Sequence, residues 1–514
     1  MDSRSVNSSR NAISGIIKTI VKIFIPFAIR SVMIFYLGKE YLGLNSLFSS
    51  ILSTLNMAEL GFSSAVIYRL YGPVARKEYK AVGAYLNYLK KVYYIIGIIV
   101  IAAGIVIIPF LGMMAKGGYP PDINIYVIYL CYLVNAGFGY CLWGYKRTVI
   151  VASQRMDYIN IIETAVFTAQ YVIQIIAIVI SKNYYIYIIT LPISTVLINY
   201  FISQICKKKY HIFFNDNQLS LAEKKEMNSD VKGVAVYKIS ETTRNSFDSI
   251  VISATLGLIA VGIYNNYYYI FGAIYSVMVI INQSLQPSVG NSIATESVDK
   301  NRNELKKLTI LSMGLIIISC CCLLGLYQPF MIMWVGKDML IEEIDMILFC
   351  IYFYILNMSN IRNLFFDGYG LWNRGRNSYI IESLGNLVLN IVLGKFFGIT
   401  GILISTIITM LFCSFIWRSI ILFKYYYGNI GFRDYILLHL KILIIGILCC
   451  VSSYIICRYI NLDGVLGIIL KCMISVIIPA LGYTLYFKND ASFREGIEQI
   501  KKATSIIIRG RKHV

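Results

Sequence analysis

The amino-acid sequence predicts an all-α polytopic membrane protein with about 14 transmembrane helices. Hydrophobic residues make up 57% of the chain and charged residues only 14%, whereas a soluble domain is about one quarter charged. Apolar runs of about 20 residues recur along the whole chain, and a helix of this length spans the hydrocarbon core of a bilayer. Lysine and arginine are concentrated in every second loop between these runs.

The apolar runs divide the chain into fourteen predicted spans. The chain begins with a polar, serine-rich segment, MDSRSVNSSRNAISG, and no small-residue cleavage site follows a short apolar core. A cleaved signal peptide is therefore not expected. The predicted spans cover residues 11–37, 43–68, 83–110, 123–144, 157–181, 184–206, 233–261, 263–290, 308–335, 344–366, 377–396, 399–423, 435–457 and 464–487.

The loops that follow the even-numbered spans carry most of the basic residues. RLYGPVARKEYK, after the second span, holds four of them, and the loop after the sixth span contains KKK and KK runs. The opposite loops hold about one basic residue each, such as Lys39 and Lys116. This alternation is the positive-inside pattern, and it predicts that both termini are cytoplasmic. It also accounts for the formal net charge of +20 without a nucleic-acid partner.

Two halves of the chain resemble each other at a shift of 219 residues. LGKEYLGL, residues 37–44, overlays LGLIAVGI with both glycines matched, and NIIET overlays YIIES, which places Glu163 on Glu382. A repeat of six spans keeps its orientation, and parallel repeats of this kind build many transporters that bind substrate between two lobes. The predicted organisation is an N-lobe (1–206), a cytoplasmic linker (207–232), a C-lobe (233–424), spans 13 and 14 (425–487) and a basic amphipathic cytoplasmic tail (488–514).

The segment RSVMIFYLGKEYLGLNSLFSSILSTLNMAELGFSSAVIYRLYGPVARKE resembles the start of the Wzx-type polysaccharide transporters. These are flippases of lipid-linked oligosaccharides in the multidrug/oligosaccharidyl-lipid/polysaccharide (MOP) exporter superfamily. The most recognisable part is the pattern F-x-LG-x-E-x-LG-L-N, which is followed by an ELG span and a basic loop. The resemblance extends to the topology of the whole chain, whereas local sequence similarity is confined to roughly the first 80 residues.

The resemblance implies a fold, a location and a cargo. The fold would be two six-helix lobes that form a V around a central cavity and work by alternating access. The location would be the bacterial plasma membrane. The cargo would be an undecaprenyl-diphosphate-linked oligosaccharide, moved from the inner to the outer leaflet for cell-surface polysaccharide synthesis. Membrane lipids and polysaccharide-assembly enzymes would be further partners, and no enzymatic activity or cofactor is implied.

Cations inside the predicted spans are the candidate ligands for a pyrophosphate. Ionisable residues within a span cost about 2.5–3.5 kcal/mol each, so they normally face water or a partner. In the first span, Pro26 is expected to bend the helix and so act as a gate beside the cations. Lys18 could instead reach the inner interface. The predicted substrate-binding residues are Arg30, Lys22, Lys18, Lys238 and Arg244.

The seventh span begins with four charged residues on one face. Lys238, Glu241, Arg244 and Asp248 fall within an arc of about 120° at about 100° per residue. We interpret this face as the wall of a polar cavity, in which the acids orient the cations. For Lys238 and Glu241, a cytoplasmic turn that simply projects into water is an equal alternative.

Five further charged residues lie inside or at the end of predicted spans. Glu59 could pair with Arg30 or bind a coupling cation, and pairing is the favoured interpretation. Glu163 and Glu382 could each be a cap or an interhelical pair, or an ion site. Arg362 and Asp367, near the cytoplasmic end of the tenth span, are predicted gate or loop contacts.

Other functions remain as alternatives. A drug/cation antiporter of the same superfamily is the first alternative, although it would favour an acidic pocket with few cations. A membrane glycan polymerase or glycosyltransferase would need a large outer loop with catalytic groups, whereas the outer loops are short. The three histidines and twelve cysteines show no metal-ligand or nucleophile spacing, so no metal or catalytic residue is expected.

Overall fold

The computed structural model describes the backbone of residues 4–59, 61–116, 118–213, 217–460, 462 and 464–510. The side chains of residues 4–9, 12, 58, 64, 212, 228–241, 243–245 and 502–510 lie outside that description. The described backbone is almost entirely helical and contains no β-strand. The chain forms two compact units, Met1–Asn265 (unit 1) and Asn266–Val514 (unit 2).

Unit 1 contains ten complete helices and the first two turns of an eleventh. The first helix is continuous through Pro26. The helices are α1 (Arg4–Tyr36), α2 (Lys39–Leu55), α3 (Phe62–Ala75), α4 (Tyr79–Ile107), α5 (Leu111–Met114), α6 (Ile125–Cys141), α7 (Arg147–Ala152), α8 (Met156–Ile176), α9 (Tyr184–Lys209), α10 (Leu221–Leu256) and α11 (Leu258–Thr295), which continues into unit 2.

Unit 2 contains the remaining helices, and a π-helical segment, Met410–Trp417, joins two of them. The last helix follows the final apolar span and is amphipathic, as the basic tail predicts. The helices are α12 (Val298–Val335), α13 (Glu343–Met358), α14 (Asn360–Gly368), α15 (Trp372–Thr409), α16 (Arg418–Tyr425), α17 (Phe432–Tyr459), α18 (Gly464–Phe487) and α19 (Ala491–Gly510).

Among the described residues, ten helices are long and apolar enough to cross a membrane, or up to eleven when the bent pair of α6 and α7 counts as one span. One of the ten covers Trp372–Tyr425 and is 54 residues long, which is more than twice the length that one span needs. Within it, Gly398 has φ 61° and ψ −137°, so α15 is two helices joined at a kink. The kink lies between the predicted spans 377–396 and 399–423. The total of fourteen spans stays a prediction.

The second predicted span, residues 43–68, is broken, which corrects the expectation of one continuous helix. α2 ends at Leu55, a 3-10 turn covers Asn56–Glu59, and α3 begins at Phe62. Gly61 precedes α3 and has a left-handed φ of 79°, which glycine adopts readily. Because glycine has no side chain, Gly61 itself cannot cap the helix. The carboxylate of Glu59 accepts a hydrogen bond from the backbone N–H of Ser63 at 3.2 Å and therefore caps α3.

The end of α10 and the start of α11 pack tightly against α2 within unit 1. A Cβ on Gly43 would lie 2.1 Å from the carbonyl oxygen of Leu258, so only glycine permits this approach. Gly257 separates the two helices with φ 94°, and the ammonium group of Lys116 donates to the carbonyl of Thr255 at 2.6 Å. α10 therefore groups with unit 1 here, although the sequence assigns it to the predicted C-lobe.

We expect Gly43→Ala to lower the free energy of unfolding by about 1–3 kcal/mol, because its methyl group would overlap the Leu258 carbonyl. Gly139→Ala in α6 is the matched control, since a Cβ there would meet no atom within 4 Å. The control should be neutral or slightly stabilising, because alanine favours a helix over glycine by roughly 0.5–1 kcal/mol. Thermal unfolding of the detergent-solubilised variants, followed by intrinsic fluorescence, measures both. Equal melting temperatures for the two variants would contradict the prediction.

Candidate functional site

Polar side chains line the contact between α1 and α8 in unit 1. Nζ of Lys18 lies 2.6 Å from Oε2 of Glu163, and it also donates to Oδ1 of Asn160 at 3.2 Å. Arg147, at the start of α7, forms a second salt bridge with Glu163. Glu163 is only 5% exposed, so two cations neutralise a buried carboxylate. Glu163 is therefore an interhelical pair, one of the two alternatives that the sequence leaves open.

The charge of Lys18 is matched by Glu163. Its role in phosphate binding and the alternative that it reaches the inner interface stay predictions. Lys22, one turn further along α1, places its ammonium 4.6 Å from the centre of the Phe167 ring on α8. Arg30 lies two turns beyond Lys22 and is half-buried. The roles of Lys22 and Arg30 in phosphate binding remain predictions.

The charged face predicted on the seventh span lies on α10. Asp248 is 2% exposed, and its Oδ2 accepts a hydrogen bond from the hydroxyl of Tyr264 on α11 at 2.9 Å. Asp248 is thus buried against the neighbouring helix, whereas the sequence predicts a water-filled wall. The side chains of Lys238, Glu241 and Arg244 lie outside the described residues, so their assignment to a cavity stays a prediction.

A polar pocket of about 480 Å³ lies in unit 1 between α2, α6 and neighbouring helices. The polar residues of α2 that line it, Asn45, Ser49 and Ser53, are each four residues apart, which places them on one face of the helix, and Asn56 follows in the 3-10 turn. Glu59 lines the pocket from the break between α2 and α3. The polar lining residues are Asn45, Ser49, Ser53, Asn56, Glu59, Tyr132, Asn135 and Thr242.

Hydrogen bonds hold the pocket's amides in place. The hydroxyl of Tyr132 donates to Oδ1 of Asn45, and Oγ1 of Thr195 donates to Oδ1 of Asn135 at 2.6 Å. The hydroxyl of Tyr140 donates to Oδ1 of Asn56 at 3.2 Å. These bonds orient the side chains before any ligand arrives, so the pocket presents a fixed wall of hydroxyl, amide and carboxylate groups.

Glu59 accepts two hydrogen bonds in the described part of the chain, and its pairing with Arg30 stays a prediction. Its Oε1 accepts the hydroxyl of Tyr93 at 3.3 Å in addition to the backbone N–H of Ser63. The alternative, a coupling cation bound at Glu59, remains a prediction. The sequence analysis missed the surrounding asparagines and serines, although their helical spacing on the second span was the signal that could have identified them.

In unit 2, Glu382 forms an interhelical ion pair with Arg418 at the start of α16. Glu382 is 1% exposed and Arg418 is 4% exposed, so both charges are buried. Nε of Arg418 also donates to Oγ of Ser378 at 3.0 Å, and the guanidinium lies 3.9 Å from the centre of the Tyr379 ring. The sequence analysis missed Arg418, although it is a charged residue inside the predicted span 399–423.

Arg362 is a core residue, whereas the sequence predicts a gate or loop contact. It is fully buried, and its Nη2 donates to the backbone carbonyl of Ser414 at 2.7 Å. Among the described residues, its Nε and Nη1 have no hydrogen-bond partner. Asp367 is half-buried and accepts the indole N–H of Trp372 at 2.8 Å, so it holds the turn between α14 and α15.

Comparison with known proteins shows what fold these units form. No family model and no curated protein sequence matches the chain. A structure of the lipid II flippase MurJ in an inward closed conformation matches with a TM-score of 0.67 and 16% identity, over 93% of this chain and 99% of that chain. An inward-facing MATE-family multidrug transporter of the MOP superfamily matches with a TM-score of 0.63 and 12% identity, over 81% and 95%.

A MOP-superfamily transporter from Pyrococcus furiosus also matches, with a TM-score of 0.53 and 12% identity, over 80% of this chain and 95% of that chain. At such low identity these similarities show the fold and no more. The chain therefore has the fold of the MOP-superfamily transporters, and the predicted all-α polytopic membrane class is confirmed.

We expect Glu382→Gln to lower the free energy of unfolding by about 3–5 kcal/mol, because it leaves the buried guanidinium of Arg418 without a carboxylate. Glu296→Gln is the control, since the Glu296 and Lys300 side chains are 41% and 63% exposed and such pairs contribute less than about 1 kcal/mol. Chemical denaturation of the purified variants measures the difference. A Glu382→Gln protein as stable as the control would show that the pair does not hold unit 2 together.

Proposed function

We propose that the protein is a flippase that moves an undecaprenyl-diphosphate-linked oligosaccharide from the inner to the outer leaflet of the bacterial plasma membrane by alternating access. The translocated lipid-linked oligosaccharide would serve cell-surface polysaccharide synthesis. The observation that carries the proposal is the similarity of fold to the lipid II flippase, which extends over 93% of this chain and 99% of that chain. The resemblance of the N-terminal segment to the Wzx-type transporters supports the same class of cargo.

The polar pocket of unit 1 supports a glycan as the cargo. Sugars carry many hydroxyl groups that both donate and accept hydrogen bonds, and amide, hydroxyl and carboxylate side chains bind such groups well. Asn45, Asn56 and Asn135 supply the amides, and Glu59 supplies a carboxylate. We propose that this pocket receives part of the oligosaccharide.

The pyrophosphate requires cations, and α1 and α10 are the proposed source. Arg30 is the leading candidate on α1, because it lies near the middle of the predicted first span. A guanidinium forms paired hydrogen bonds with phosphate oxygens, which a lysine does not. Lys238 and Arg244 on α10 are the proposed partners of Arg30.

A drug/cation antiporter is the second candidate function. The similarity of fold to the MATE-family multidrug transporter supports it, and Glu59 gives the pocket a carboxylate that would attract a cationic drug. The two candidates differ in the charge of the cargo, since a polyprenyl diphosphate is anionic. A transport assay therefore separates them directly.

We expect the purified full-length protein, reconstituted in liposomes, to flip a fluorescent undecaprenyl-diphosphate-linked oligosaccharide. In protein-free liposomes, a membrane-impermeant quencher reaches only the label in the outer leaflet, whereas a flippase exposes the remaining label. The assay is repeated with a proton gradient, a sodium gradient and a membrane potential, each of which can drive a transport cycle. Failure to expose the label under all of these conditions, together with uptake of a cationic dye, would favour the antiporter.

We expect Arg30→Ala to lower the rate of flipping by about tenfold or more, because a hydrogen bond to a charged group contributes about 1.5–3 kcal/mol. Arg10→Ala is the matched control, since Arg10 lies on the same helix and is exposed. Membrane insertion and melting temperature are measured for both variants, so that a folding defect is recognised. Unchanged flipping by Arg30→Ala would remove Arg30 from the phosphate site.

We expect Asn135→Ala to lower flipping of the glycan-bearing lipid while leaving the flipping of undecaprenyl diphosphate without sugars unchanged. Asn135 lines the pocket and would contact sugar rather than phosphate. Asn377→Ala, at an exposed position of α15, is the control. An equal loss for both lipids would show that the pocket does not recognise the glycan.

A further inference from the structure

A second cavity, of about 690 Å³, lies within unit 2 at the ends of α12, α17 and α18. We refer to it as the α12–α17 cleft. Its volume is in the range of sites that hold small molecules. The basic residues that line it are Arg302 and Lys306 from α12 and Lys441 from α17, and its acids are Asp434 and Asp490. These residues belong to neither the polar pocket nor the buried ion pairs described above.

Two of the three cations in the cleft already have ionic partners. Nζ of Lys306 lies 2.9 Å from Oδ2 of Asp490, and Nη2 of Arg302 lies 3.0 Å from Oδ1 of Asp299. Partial burial raises the pKa of Asp490, but the hydrogen bond and charge of Lys306 together with the backbone N–H groups of Ser492 and Phe493 outweigh that effect, so the pKa lies below its ordinary value. Asp490 is therefore ionised at neutral pH and neutralises Lys306.

Lys441 is the cation without such a partner. It is exposed, and the part of the chain that the structure describes provides no ion pair for it. It lies about 13 Å along α17 from Phe432, at 1.5 Å per residue, and therefore well inside a helix that is apolar enough to span the membrane. A charged group at this depth normally has a counter-charge or faces water. The cleft is where that counter-charge can bind.

The walls of the cleft are suited to a lipid rather than to a free ion. Leu437 is 42% exposed and Tyr486 is 51% exposed, so the cleft continues onto apolar surface. In the predicted orientation, the adjoining loops face the cytoplasm, and the inner leaflet carries the anionic lipids. An anionic headgroup bound in the cleft could therefore keep its acyl chains in the bilayer.

We propose that the α12–α17 cleft binds an anionic phospholipid with a hydroxylated headgroup, such as phosphatidylglycerol. Lys441 binds the phosphate, and the carboxylate of Asp434 accepts a hydrogen bond from the headgroup hydroxyl. The acyl chains lie along Leu437 and Tyr486. The proposal concerns a resident lipid and does not depend on the identity of the transported cargo.

The test uses the purified full-length protein in detergent, to which phosphatidylglycerol, phosphatidylcholine or inorganic phosphate is added. Native mass spectrometry counts the bound lipid, and thermal unfolding measures the stabilisation at each concentration. We expect phosphatidylglycerol to raise the melting temperature and phosphatidylcholine and phosphate to have little effect. Lys441→Gln should weaken phosphatidylglycerol binding about fivefold, which is the effect of removing one cation beside an anionic headgroup.

Arg433→Gln is the matched control, because Arg433 is an exposed cation on the same helix that does not line the cleft. It should bind phosphatidylglycerol as tightly as the wild type does. Equal binding by Lys441→Gln and Arg433→Gln would overturn the proposal, as would equal stabilisation by phosphatidylcholine. Equal protection by inorganic phosphate would overturn the assignment to a lipid.

Discussion

Charge in an apolar bundle is the constraint on which the described structure depends. An ion removed from water without a partner costs several kcal/mol, so a buried carboxylate in these helices needs a cation or a hydrogen-bond donor on a neighbouring helix. Glu163 meets this need through Lys18 and Arg147, and Glu382 meets it through Arg418. Because each pair joins different helices, the same contacts that neutralise the charge also determine which helices lie side by side.

The predicted internal repeat bears on how far that constraint extends. Glu163 and Glu382 lie 219 residues apart at matching positions of α8 and α15, and both are buried acids with cationic partners. The partners themselves do not match, since one acid takes its cations from α1 and α7 and the other from α16. Neutrality requires a cation within reach but does not specify the helix that supplies it. Each half therefore has a buried glutamate at the matching position, but the helices that supply its cationic partners differ.

Much of the fold could be predicted from the sequence, because a membrane span has a required length and composition. The kink at Gly398 lies where two predicted spans meet, and the interhelical pairing of Glu163 was one of two stated alternatives. The break after α2 could not be predicted in this way, since the polar residues of 43–68 are scattered among apolar ones and mark no boundary. It depends on the left-handed Gly61 and on Glu59 as a distant cap, and hydropathy detects neither.

The contacts of α1 differ on the two sides of Pro26. Before it, Lys18 bonds to Glu163 and Asn160 on α8, and such bonds fix both distance and direction. After it, the buried residues are Ile29 and Met33, whose apolar contacts are non-directional and tolerate sliding. Pro26 itself cannot donate a backbone hydrogen bond within the helix. A bend at this position would keep the ion pair intact while the second half of α1 moves, and it would carry Arg30 with it. The missing hydrogen bond at Pro26 is therefore the physical basis on which its role as a gate is predicted.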